Sequence, residues 1–176
     1  MNIKKIVLLL SVLGIVLSLS SCSAYTAVLA RDDKKYGETR FQNIIDALEN
    51  KDEEEIKKMF SPNALKEAKD IDGGIEYLMK FYKGKFVSKE GSYIASHSKG
   101  DGEKTIEMSY FYRVTTDKDK FIVFFIDKVY DRKNPDNVGL YMLQIIKLSD
   151  EEKEFDWGGD ETICAGIYRP IETEKK

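Results

Sequence analysis

The sequence predicts an α+β domain in which N-terminal helices pack on an antiparallel sheet. Two observations carry this. Before residue 84 the apolar residues recur with a period near 3.6, and after it they recur with a period of 2. The alternating stretches are joined by turn-like connectors, "KGDG", "TDKDK" and "RKNPDN". Helices first and hairpin-linked strands afterwards is the order of an α+β fold, since a long antiparallel sheet needs its apolar face covered.

The first helix is read in "TRFQNIIDALEN", where Phe41, Ile44, Ile45 and Leu48 fall at i, i+3, i+4 and i+7. Asp52 followed by Glu55 has the spacing of a capping box, and opens a second helix with Ile56, Met59 and Phe60 facing inward. Ser61-Pro62 supplies an N-cap hydroxyl and an N1 proline for a short third helix through Lys69. A fourth starts near Asp72, with Ile75, Leu78, Met79 and Tyr82 on one stripe and Gly84 as its C′ residue.

Strands follow. "KFVSKEGSYIASHS" is a weak one. "TIEMSYFYRVT" alternates Ile106, Met108, Tyr110, Tyr112 and Val114 against Glu107, Ser109, Phe111 and Arg113. "KFIVFFIDKVY" is nearly all apolar, as a central strand covered on both faces would be. "GLYMLQIIKL" and a shorter "ETICAGIYR" complete the sheet.

The chain opens differently. Lys4 and Lys5 precede Ile6–Leu19, fourteen residues without a charge, which is a signal-peptide n-region and h-region. As a helix this run would rise about 21 Å at 1.5 Å per residue, short of a hydrocarbon core about 30 Å thick. Leu19-Ser20-Ser21-Cys22 resembles a bacterial lipobox. The resemblance implies a diacylglyceryl group on the Cys22 sulfur and cleavage before it, giving a 1–21 signal peptide, a 22–37 lipid-proximal tether and a single domain over 38–176. Two acyl chains give stable membrane residence where one is marginal, so the expected place is the extracytoplasmic face of the cell membrane. An ordinary secretory signal, cut for example after Ala24, is the alternative.

Removing residues 1–21 takes away Lys4 and Lys5 and leaves 26 basic against 31 acidic side chains, two charges more negative than the −3 of the whole chain. A net negative chain with scattered lysines argues against a nucleic-acid partner. With Cys22 lipidated, Cys164 has no partner for an internal disulfide. Its context "TICAGIY" reads as that of a buried, inert thiol.

The order of elements, and "ALENKDEEEIKKMFSPNAL" after the first helix, resemble the nuclear transport factor 2-like (cystatin-like) superfamily, over roughly Tyr36 to Tyr168. The resemblance implies that the sheet is strongly curved and that helices and sheet together form a cone. The lipobox joined to this domain resembles an uncharacterised family of Gram-positive surface lipoproteins, which implies a fold and no particular activity.

Few residues offer chemistry. His97 is the single histidine; Ser96 and Ser98 beside it do not make a relay. No metal site is expected, because zinc needs several His or Cys ligands. In "DIDGG" a calcium loop fails at Gly74 and Phe81. No cofactor is expected either. The best candidate is Asp127, in register with Phe121, Val123 and Phe125 on an otherwise apolar strand. In the related enzymes, such as ketosteroid isomerase, a pocket carboxylate shuttles protons beside a tyrosine or a protonated acid. By that resemblance Tyr110, Tyr112 and Tyr141 would line the cone and Trp157 would close its mouth. The plainer reading places Asp127 at the strand's exit, solvated or paired with Lys128 or Arg132. The leading expectation is a non-catalytic domain binding a small molecule or a protein. An enzyme using Asp127 and an immunity-type interaction lipoprotein are the alternatives.

Overall fold

A computed structural model describes residues 32–100, 103–156 and 162–170, the side chains of 95–100 and 103 excepted. By its contacts the chain divides into Met1–Asp33 and Lys34–Lys176. The sheet and nearly all of the described helical residues belong to the second unit. The stretch read as a signal peptide, Cys22 and Trp157 lie outside the described residues, as does the His97 side chain.

The α+β reading holds. Among the described residues four helices precede the sheet: α1 Asp33–Asn50, α2 Glu53–Met59, α3 Pro62–Glu67 and α4 Ile71–Phe81. The strands are β1 Phe86–Gly100, β2 Glu103–Thr116, β3 Lys120–Asp131, β4 Gly139–Lys147 and β5 Gly166–Ile167, with a one-turn helix α5, Glu151–Glu154, between the last two. They form one open, curved, mixed sheet in the order β1-β2-β3-β4-β5.

The caps form as the spacing predicts. Asp52 accepts from Glu55 N–H at 2.9 Å and Ser61 Oγ from Ala64 N–H at 3.1 Å. Helix α4 is capped by Asp70, which accepts from Gly73 N–H, so it starts just ahead of Asp72. Gly84 adopts φ +92, but its place is one residue beyond C′, because Tyr82 is the C-cap.

Helix α1 is longer than its apolar stripe. It begins at Asp33, inside the stretch expected to be tether, because "DKKYGET" has no apolar periodicity to announce a helix. Gly37, a poor helix former, is the reason α1 can lie so close to the sheet. A Cβ there would sit 2.0 Å from Cε1 of Tyr110.

Between them β2 and β3 build two faces. The alternation in β2 is obeyed: Ile106, Met108, Tyr110, Tyr112 and Val114 are buried, while the intervening residues are at least partly exposed. Pairing sets Tyr110 opposite Phe125 and Tyr112 opposite Val123, so these share the helix-covered face with Phe41 of α1. The other face holds Ile122, Phe124, Ile126, Met142 and Ile146 beneath Phe155, with Phe111, Tyr141, Leu148 and Tyr168 around them. Strand β3 is therefore covered on both sides, with Phe121–Asp127 buried without interruption.

The last strand departs from expectation. Only Gly166–Ile167 pairs, and it runs parallel to β4, against Met142 and Leu143. The chain leaves β4 and crosses the second face through α5 and Phe155. It then reaches the β4 edge from the end at which β4 began, a connection of the length parallel pairing requires.

Candidate functional site

Asp127 keeps the register predicted for it and faces the helices, opposite Met108 on β2 and Leu140 on β4. A register shift against β4 falls immediately before it. It is 0% exposed. Arg40 of α1 donates from Nε to Oδ2 at 2.6 Å, and its Nη2 donates to the Tyr36 hydroxyl at 3.1 Å. Positions 36 and 40 are one helical turn apart, so α1 presents both side chains to the same spot on the sheet.

Burial and charge work against each other in this cluster. Burial disfavours the Arg40 charge, but the Asp127 carboxylate and the Tyr36 oxygen hold the guanidinium above its ordinary pKa. Burial, then the field of Asp127, raises Tyr36. The solvated reading of Asp127, with Lys128 or Arg132 as partner, is overturned. The Lys128 ammonium instead lies 4.4 Å from the centroid of the Tyr141 ring. Nothing in the sequence near Asp127 signals Arg40, which sits 87 residues away, at the head of the stretch read as the first helix and one turn before Ile44.

The tyrosines divide. Tyr110 is wholly buried, stacked on Phe125 at 4.8 Å and overlaid by Gly37. Tyr112 leans on Phe41 at 4.7 Å. Both share the Asp127 face. Tyr141 does not: it packs against the Ile126–Met142 cluster on the opposite face, because the irregular register at this end of β4 turns it there. Chemically, the arrangement can lock a helix to a sheet. A general base needs to reach a substrate proton, and this carboxylate lies sealed under α1.

Two clefts among the described residues lie elsewhere. One of about 610 Å³ surrounds the β2–β3 turn, Thr115–Lys120, with Leu148 and Ser149. Another, about 360 Å³, lies between Glu67–Asp70 and the segment around β5. Cys164 lines it, half-buried rather than buried, with its thiol pKa raised by burial. Asp127, Tyr110 and Tyr112 line neither.

Buried phenols give this core an alkaline limit. Burial, then the Glu38 charge, pushes Tyr112 up to about 12, and burial with Glu154 and Asp150 does the same to Tyr77. In the unfolded chain these groups ionise near 10, so the unfolded state loses protons first and stability falls as pH rises from about 10 to 12. A thermal midpoint unchanged across that range would contradict the burial of these hydroxyls. Tyr112→Phe should flatten the decline.

No curated protein matches the chain. Residues 43–148, from the middle of α1 to the end of β4, match a family model described as a domain of unknown function. The matched stretch contains Asp127 but begins just after Arg40. By that match over more than half its length, the chain belongs to the DUF5104 family.

Proposed function

We propose that this is a lipoprotein held at the outer face of the cytoplasmic membrane through Cys22, and that its domain acts by binding a protein rather than by catalysis. The observation that carries the second part is the Arg40–Asp127 pair. The one carboxylate the sequence places among aromatic rings is neutralised at 2.6 Å and enclosed beneath α1. Helices ahead of a curved sheet also support reading the domain as nuclear transport factor 2-like, with the cone's interior occupied by α1 and the rings of Tyr110 and Phe41. A small-molecule pocket of the usual kind is concave and mostly apolar. Among the described residues, clefts and a strand edge are the surfaces that would offer themselves to a partner.

The anchor is tested by Cys22→Ala. The variant should incorporate no labelled fatty acid and should persist as an uncut precursor. Migration, labelling and membrane fractionation identical to wild type would remove the anchor from this reading.

A further inference from the structure

The two edges of the sheet are treated differently. At the β4 edge, Ser61 N–H donates to Leu140 C=O at 2.9 Å and Tyr168 N–H to Leu143 C=O at 3.0 Å, and β5 pairs beside them. That edge is covered. At the other end of the order, β1 pairs with β2 over Phe86–Gly100, and among the described residues no strand pairs its outer side. An open edge displays unpaired N–H and C=O groups to any extended chain, and proteins usually blunt it with charge, proline or a bulge. Here no proline occurs in the strand, and the register irregularity falls at its very start, between Phe86 and Ser88. The Lys89 ammonium is folded back over the rings of Phe41 and Tyr112 and onto Glu38, away from the edge. Val87 and Ile94 stand 61% and 73% exposed, and Tyr93 42%.

We infer that β1 is the interface at which a second copy of this chain adds its own β1, antiparallel, in a two-fold dimer. This rests on the reading of the chain as a lipid-anchored binding protein. The length of chain ahead of α1 points to a second copy. Ten residues separate Cys22 from Asp33, a span of at most about 35 Å when fully extended. Copies sharing one membrane are thus confined to a thin layer, which raises their concentration for each other. Charge points the same way. The mature chain is net negative and repels itself in general, whereas residues 86–94 carry one lysine and one glutamate, and that lysine is already paired with Glu38.

The symmetry is consistent with the anchors. A two-fold normal to the sheet keeps both α1 helices, and with them both points at which the anchor segments join the domains, on one side of the paired sheets. It also makes a geometric demand. Residues directly opposite across strands share a face, so one β1 residue must lie opposite its own copy.

The test uses the full-length protein in its membrane, with Cys164→Ser as background. Single cysteines replace Ser88, Glu90, Ser92, Tyr93 and Ile94 in turn, under mild oxidation. The expected result is a covalent homodimer concentrated at one position, where the Cα atoms approach within disulfide reach. The detergent-solubilised protein should have the mass of a dimer, halved by Val87→Lys with Ile94→Lys, two exposed substitutions that leave the core intact. Equal weak crosslinking at all positions, crosslinking to a different protein, or a monomer mass for the wild type would overturn the inference. A homodimer that persists in Cys22→Ala would uphold the interface even if the anchor failed its own test.

Discussion

Arg40→Met should cost about 3–5 kcal/mol of stability, the usual loss when one member of a buried ion pair is removed. For a domain of this size that lowers the thermal midpoint by roughly 10 °C. The cause is not the missing attraction alone. The Asp127 carboxylate stays 0% exposed beneath α1 after losing the guanidinium that neutralised it. Asp127→Asn should be costly for the converse reason, since it leaves the Arg40 charge inside. Combining Arg40→Met with Asp127→Leu should return most of the loss, because buried pairs replaced by apolar residues of similar volume are often neutral or better. Denaturant unfolding of wild type, Arg40→Met, Asp127→Leu and the double variant closes the cycle and gives the coupling directly. A solvated Asp127 would make each single change worth less than about 0.5 kcal/mol. Four near-identical midpoints would therefore refute the buried pair.

The same pair shows what can be read in a sequence and what cannot. Periodicity recovers α1, α2, α4 and β2 to β4 because each hides a stripe or a face, and burial writes that pattern into the residue order. Helix α3 is announced by its Ser61-Pro62 cap, and β1, none of whose described side chains is buried, only weakly. Asp127 is visible as an anomaly by the same logic: it keeps inward register on an apolar strand. Its partner is not, because Arg40 belongs to a charged stretch where an inward-facing arginine looks like any exposed one. The second face is illegible for a different reason. Its cover comes from Phe155 after a one-turn helix and from Tyr168 near a two-residue strand, elements too short to show a period. Tyr141 is misassigned for want of the register irregularity before Asp127, since one residue's slip sends a side chain to the opposite face.

Ile45→Asp should be the most damaging single change in the helical layer. Ile45 is 1% exposed, between Ile44 at 0% and Ala47 at 3%, on the face of α1 that meets the sheet. The substitution removes a buried aliphatic side chain, worth about 2–5 kcal/mol in a core, and puts a carboxylate in its place. An unpaired buried charge adds several kcal/mol or drives the group to stay protonated. Against a total stability of about 5–15 kcal/mol, the variant should be unfolded or nearly so at pH 7. The sign of its pH dependence follows. Burial raises the folded-state pKa of the new carboxyl above its unfolded value near 4. The variant is therefore least handicapped below pH 4 and loses further stability as pH rises above it. Asn43→Asp, on the exposed side of the same helix, introduces the same charge and should stay within about 0.5 kcal/mol of wild type. If Ile45→Asp melts within about two degrees of wild type, or if the two variants behave alike, α1 does not pack on the sheet by this stripe.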